Sequence, residues 1–205
     1  MFLKFQLFVI EYLQRLFCAF HIINNEKVIY LTFDDGPEPI VTEYILDLLD
    51  KYNAKATFFC CGNNVLKYNS QYVEIVNRGH SIGGHTMSHL KGNEVSTIKY
   101  IKEVLLFKRL FKTRLFRPPF MSLSILGCLI LPLFVKIVLW DVDSEDWCKD
   151  KGDHYDVYEM VKLTRPGSII LFHFSKEHKD RTLLILPKFL KIMSKYGYVF
   201  KSIKL

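Results

Sequence analysis

Apolar positions along this chain recur first at a helical period and then at alternating strand and helix periods. Phe2, Phe5, Val9, Tyr12 and Leu16 fall at three- and four-residue steps, as do Leu3, Leu7, Ile10, Leu13 and Phe17. Lys4, Glu11 and Arg15 share one narrow stripe between them. This spacing predicts an amphipathic helical extension over residues 1–24, its helix running to about residue 20. So wide an apolar face packs on the rest of the chain or lies in a membrane interface. Beyond it, an apolar run from Val28 to Phe33 reads as a buried strand that ends in Asp34-Asp35-Gly36-Pro37, two carboxylates and a turn signal.

Strands and helices then alternate to the end of the chain. Thr42 is the expected cap of a helix carrying Tyr44, Ile45, Leu48, Leu49 and Tyr52 on one side. Residues 56–60 read as a strand. A helix with Tyr72, Val73 and Val76 follows and stops at Gly79. A short strand at 81–83 precedes a helix that Asn93 caps, running to about Phe111 with Ile98, Ile101 and Leu105 inward. Strands at 115–117, 136–141, 168–172 and 198–203, with helices near 157–163 and 182–195, complete the pattern. Repeated strand–helix units predict a parallel sheet, and residues 25–205 form one α/β domain with no repeat or linker. From pattern alone the sheet is either closed as a β/α barrel or open and doubly wound.

Composition supports a cored domain: the 205 residues are 50% hydrophobic and 15% aromatic. The net charge is +7, yet the lysines are scattered and form no dense run, so nucleic-acid binding is not expected. The five cysteines include no Cys-x-x-Cys pair, which argues against a disulfide framework and for a reducing compartment. The apolar N-terminus lacks a small-residue cleavage pattern, and no apolar stretch is long enough for a spanning helix. These features lead to an expected location in the cytoplasm or on the cytoplasmic face of the inner membrane.

Five polar clusters stand where strands end. Asp34-Asp35 is the first, and alone it is an ordinary strand-to-turn junction. The second is His85-Thr86-Met87-Ser88-His89, after Gly83-Gly84. Two imidazoles four apart on a helical face can grip one ion. With Asp35 they make a two-imidazole, one-carboxylate set that suits Zn²⁺, Co²⁺ or another first-row divalent ion and leaves room for water and substrate. The third is Arg117-Pro118-Pro119-Phe120, whose bland reading is a strand ending at a rigid turn. The fourth, Trp140-Asp141-Val142-Asp143-Ser144-Glu145-Asp146-Trp147, also fits a calcium-type loop. The fifth is Leu171-Phe172-His173, where a single histidine is usually structural.

In this order, spread from Leu31 to His173, the clusters resemble the five motifs of the polysaccharide deacetylase family, also called the NodB-homology or carbohydrate esterase 4 family. The resemblance begins near Lys27 and implies a distorted (β/α) barrel with fewer than eight units. It implies that Asp34 is the general base, that Asp35, His85 and His89 hold a metal, and that Arg117 pairs with and orients Asp34. His173 becomes the general acid, supported by Asp146. The Phe120 N–H polarises the acetyl oxygen, Trp147 walls the sugar groove, and Leu171 lines the methyl pocket. The implied activity is metal-dependent removal of N-acetyl groups from an N-acetylglucosamine-type glycan, releasing acetate. An O-acetyl esterase on the same site, or a non-catalytic glycan-binding relative, is the alternative. The chain departs from the family pattern at Met121 and Phe174, and both are expected to line the groove. His21, His80, His154 and His178 receive no role.

Overall fold

A computed structural model describes residues 26–148 and 155–205. The helix expected over residues 1–20 lies outside the described residues. Among the described residues eight strands form one parallel sheet: β1 (Val28–Asp34), β2 (Ala56–Cys60), β3 (Ser81–Gly84), β4 (Leu115–Phe116), β5 (Lys136–Ile137), β6 (Val142–Asp143), β7 (Ile169–His173) and β8 (Val199–Phe200). Their order is β5-β4-β3-β2-β1-β7-β6, with β8 paired to the first residues of β1. The sheet curls but β5 and β6 do not pair. The outcome is the incomplete barrel rather than the open doubly wound sheet.

Helices α1 (Pro39–Lys51), α2 (Gly62–Lys67), α3 (Asn69–Asn77), α4 (Thr97–Phe111), α5 (Ile125–Ile130), α6 (Tyr155–Leu163) and α7 (Lys179–Lys195) connect the strands. Among the described residues no helix is long and apolar enough to cross a membrane.

Strand alternation sorts the core into two layers. Leu31 and Phe33 of β1, Phe58 of β2, and Ile170 and Phe172 of β7 belong to the cluster shared with α1 and α7. Phe33 stacks on Phe58 with ring centres 5.0 Å apart. The opposite parity, Thr32, Asp34, Phe59, Leu115, Arg117, Ile169, Leu171 and His173, turns to the other side of the sheet. Phe59, Leu115 and Ile169 form a small second core there with Val138 and Ile203. Because Asp34 pairs in register with His173 and with Phe59, and Gly84 with Phe116, the C-terminal ends of these strands reach one edge together.

Parity also corrects one expectation. Phe174, next to His173, points away from the groove: it is fully buried, packs on Phe33 and Phe58, and closes over Gly36.

Helix starts differ from the sequence reading for local reasons. Glu38, not Thr42, caps α1: its carboxylate accepts from the Val41 N–H, while the Thr42 hydroxyl, inside the first turn, accepts from the Glu38 N–H. Ser96, not Asn93, caps α4 by accepting from the Lys99 N–H. That helix buries Tyr100, Val104 and Phe107, and leaves Ile98 exposed, because the inward stripe is one step out of phase with the expected one.

Candidate functional site

Asp34 is the last residue of β1 and Asp35 the first beyond it. Opposite faces are the rule for neighbours in a strand. Here Asp35 takes a left-handed φ of 82°, which returns its side chain to the same mouth as Asp34. Thr86, His89, Phe120, Met121 and Glu145 also have positive φ, so strained backbone gathers around this edge of the sheet.

The buried Arg117 organises the floor. Its Nη1 donates to Asp34 Oδ1 at 2.8 Å and to Thr32 Oγ1 at 2.8 Å. Thr32 and Asp34 are two apart and so share a face of β1. The Thr32 hydroxyl in turn donates a hydrogen bond to the Ile170 carbonyl at 2.7 Å. Arg117 Nε and Nη2 donate to the carbonyls of Val138 and Leu139. Phe59 and Trp140 lie against the guanidinium, 4.2 Å and 5.5 Å from its carbon to the ring centres. Burial lowers the Arg117 pKa, and the Asp34 carboxylate opposes that shift.

Asp35, His85 and His89 converge. Asp35 Oδ1 is 3.3 Å from His85 Nε2 and 3.0 Å from His89 Nε2, and one ligand atom from each of the three residues lies within 4.8 Å of the others. Among the described residues this is the one group of His, Cys, Asp and Glu so placed. The residues fit a metal ion on two further counts. His85 Nδ1 is 2.8 Å from the Arg117 carbonyl, which can only accept, so Nδ1 carries a proton and the neutral imidazole offers its Nε2 lone pair to a cation. The backbone carbonyl of Asp35 is held by Asn64 Nδ2 at 2.7 Å. Burial alone would raise the Asp35 pKa, but hydrogen bonds from His85 and His89, with the charge of His85 and His173, hold it well below the usual carboxylate range. The carboxylate is thus an anion awaiting positive charge.

The two histidines were expected on a helical face. They lie instead on a turn, Thr86 and His89 both being left-handed, and the Thr86 hydroxyl accepts from the Leu90 N–H where a helix would continue. The imidazoles still meet, ring centres 5.1 Å apart.

Across the mouth, His173 Nδ1 is 2.6 Å from Asp146 Oδ1. Asp146 is buried and its Oδ2 also accepts from the His173 N–H and the Thr182 hydroxyl. Burial would depress the His173 pKa. The hydrogen bond and charge of Asp146, with Asp35 and Asp34 beyond, outweigh it and push the value up to about 9. The acidic run around Asp146 is no calcium loop. Asp141 accepts from the Ile169 N–H, Asp143 from the Glu145 N–H, and Asp146 from the His173 side, so the carboxylates diverge.

A cavity of about 500 Å³ joins these groups. Asp34, Asp35, His85, His89 and His173 line it with Phe120, Met121, Trp140, Trp147 and Leu171. Met121 is therefore in the groove as expected. Phe120 and Trp147 stand at the rim, 64% and 49% exposed, whereas Leu171 is buried.

Three residues escaped the sequence reading. Thr32 and Thr182 act as hydroxyl bridges to Arg117 and Asp146, and nothing local in the sequence marks them. His178 also lines the cavity, its ring centre 4.9 Å from that of His173 and its Nε2 3.9 Å from Asp35 Oδ2. His80 is structural, as its lack of a role implied: its Nδ1 accepts from the Ala56 N–H. His21 and His154 lie outside the described residues.

A parallel, incomplete barrel with paired acids, two imidazoles and an acid-supported histidine at its C-terminal edge defines a hydrolase-type site of the polysaccharide deacetylase class. The family model for polysaccharide deacetylases matches residues 21–124. A peptidoglycan-N-acetylglucosamine deacetylase of Bacillus cereus is 33% identical over 195 residues, covering 91% of each chain. The solved Bc1960 peptidoglycan N-acetylglucosamine deacetylase superposes with a TM-score of 0.83 at 30% identity over 90% of each chain. A mutant of BA3943, a carbohydrate esterase 4 pseudoenzyme with restored activity, superposes at 0.78 with 25% identity, over 90% of this chain and 68% of that one. The chain belongs to the polysaccharide deacetylase family, the NodB-homology or carbohydrate esterase 4 family.

Proposed function

We propose that the protein is a metal-dependent deacetylase that removes N-acetyl groups from an N-acetylglucosamine-type glycan, peptidoglycan being the first substrate to test. The observation that carries this reading is the division of labour between neighbouring carboxylates. Asp35 faces two imidazoles, while Asp34 faces Arg117 and stands beside His173, its register partner on β7.

Asp35, His85 and His89 would hold a divalent ion, Zn²⁺ first among first-row metals for two nitrogens and one oxygen. Such an ion would supply a Lewis acid and lower the pKa of a bound water to about 7. Asp34 takes the proton from the attacking water, its Oδ1 fixed by Arg117 and its Oδ2 turned toward the His85 side. Negative charge that develops on the acetyl oxygen is met by the Phe120 N–H. As the new C–O bond forms and the C–N bond breaks, His173 passes its proton to the leaving nitrogen. An amine anion is a very poor leaving group, which is why a histidine held cationic by Asp146 suits amide cleavage. Leu171 lines the methyl side, and Trp147 and Phe120 offer apolar faces to the sugar ring.

The test is acetate release from N-acetylglucosamine oligosaccharides, peptidoglycan fragments and an O-acetylated glycan, before and after chelation and Zn²⁺ or Co²⁺ reconstitution. Metal-dependent acetate with a matching free amine on the sugar is the expected result. Acetate from the O-acetylated glycan alone would make it an esterase. No acetate from any of these by metal-loaded protein would favour the non-catalytic reading, which a pseudoenzyme of similar fold makes concrete. Filled Asp34 and His173 positions speak against that reading.

Residues 1–20 are proposed to give peripheral membrane contact at the cytoplasmic face of the inner membrane. Support is their amphipathic spacing and the free thiols of Cys60, Cys61 and Cys148. Deleting residues 1–20 then shifts the protein out of the membrane fraction; unchanged fractionation contradicts it.

A further inference from the structure

Between Glu103 and Asp141 the chain carries no acidic residue and six basic ones: Lys108, Arg109, Lys112, Arg114, Arg117 and Lys136. Arg117 is spent inside the site. The rest of this stretch forms one side of the barrel, built from the end of α4, β4, the Phe120 loop, α5 and the turn into β5.

The short helix α5 starts from a Ser124 cap, three residues after Met121 at the cavity. Its inward anchors are Gly127, then Leu131 and Val135, which pack with Leu123 and Phe116. Cys128 and Ile130 are half-buried, and five other apolar residues face out: Ile125 is 60% exposed, Leu126 58%, Leu129 67%, Leu133 74% and Phe134 38%. At the foot of this stripe the Lys136 N–H donates to the Arg114 carbonyl at 2.7 Å, and Lys112, Arg114 and Lys136 are all exposed. At its head stands Phe120, exposed at the rim. Scattered apolar side chains on a surface need no account, but five on one short segment do.

We propose that this face docks on an anionic lipid bilayer. The α5 stripe enters the boundary between headgroups and acyl chains, and Lys112 and Arg114 meet lipid phosphates. The charge pattern decides for a bilayer over a protein partner. Protein interfaces favour aromatic anchors within a polar rim, whereas this stripe is mostly aliphatic and its stretch of chain bears cations alone, the composition of an interfacial helix on acidic lipid. Because the stripe starts at the rim, docking brings the cavity mouth to headgroup level. The inference depends neither on the proposed activity nor on residues 1–20.

The test is sedimentation of the full-length protein with phosphatidylglycerol–phosphatidylcholine vesicles and with phosphatidylcholine vesicles. Binding to the anionic vesicles, weakened by salt, is expected, with about tenfold or greater preference over neutral ones. Leu129→Gln with Leu133→Gln should lower the partition coefficient about tenfold or more, and Lys112→Gln with Arg114→Gln by about fivefold per cation removed. These positions are exposed, so circular dichroism and the thermal midpoint should stay at wild-type values. If the leucine pair disturbs the melt, Ile125→Gln with Leu126→Gln replaces it.

No binding to either vesicle overturns the proposal. So does unchanged partition of the leucine variant, which would leave residues 1–24 as the whole anchor. A concentration-dependent dimer in analytical ultracentrifugation that the leucine variant dissolves, without vesicle binding, would assign the face to a second copy.

Discussion

Asp146 holds His173 at two points: Oδ1 meets the ring Nδ1 at 2.6 Å and Oδ2 accepts the backbone N–H at 2.8 Å. The carboxylate thereby fixes the tautomer, leaving Nε2 for the leaving nitrogen, and raises the ring's pKa to about 9. As a proton donor His173 works below that value and fails above it.

Asp146→Asn should therefore move the alkaline limb of the kcat/KM profile down from near pH 9, because burial is then opposed only by the charges of Asp35 and Asp34. The same pair contributes stability. A folded pKa above the unfolded value of about 6.5 gives stability that is complete below that pH and lost as pH rises through about 9. Thermal melts of wild type and Asp146→Asn at pH 6 and pH 10 should differ more at pH 6. A limb that stays near pH 9 in the variant would remove Asp146 from the role.

Arg117 is a buried cation whose guanidinium donates to Asp34, Thr32 and two carbonyls. Removing one partner of a buried pair strands the other, at a cost of about 3–5 kcal/mol. Arg117→Met should show that loss in urea unfolding, together with near-complete loss of turnover. Thr32→Val keeps the shape and deletes one bridge, so a loss of about 1–2 kcal/mol is expected.

Gly83 lies on β3 beneath the Phe59 ring, and a Cβ there would overlap the ring. Phe59 in turn carries the Arg117 guanidinium on its face. Gly83→Ala should cost about 1–3 kcal/mol through overpacking and lower kcat by displacing Arg117. A variant with wild-type stability and wild-type kcat would refute this line of contact.

Trp147 stands half-exposed at the rim, and its Nε1 lies 3.5 Å from Asp143 Oδ2. Trp147→Ala should raise KM for oligosaccharides about tenfold through loss of an aromatic face, with a smaller change in kcat. Steady-state kinetics on a chain-length series would check it.

The chemistry was far more legible than the scaffold that aims it. Asp34, Asp35, His85, His89, Arg117, Asp146, Leu171 and His173 announced themselves because their motifs lie at or just beyond strand ends, where an apolar run gives way to polar residues. All eight face or support one cavity. The turn at Thr86–His89 was misread as helical, since a four-residue spacing serves both when positive φ is available. Thr32 and Thr182 were invisible because their partners are 85 and 36 residues away. Phe174 was misplaced by sequence adjacency, although strand parity beside His173 already turned it inward to the core. The strands at Leu115–Phe116, Lys136–Ile137 and Val142–Asp143 are two residues each, too short to carry a period.

The central claim is that neighbouring carboxylates do different work, and metal content tests it most directly. Purified wild type, Asp34→Asn and His85→Ala are each loaded with Zn²⁺, desalted and assayed for bound metal by mass spectrometry. One ion per chain in the wild type and in Asp34→Asn, with little or none in His85→Ala, is the predicted result, and acetate release should then survive in the wild type alone. A wild type that binds no ion, or an Asp34→Asn variant that loses it, would contradict the account.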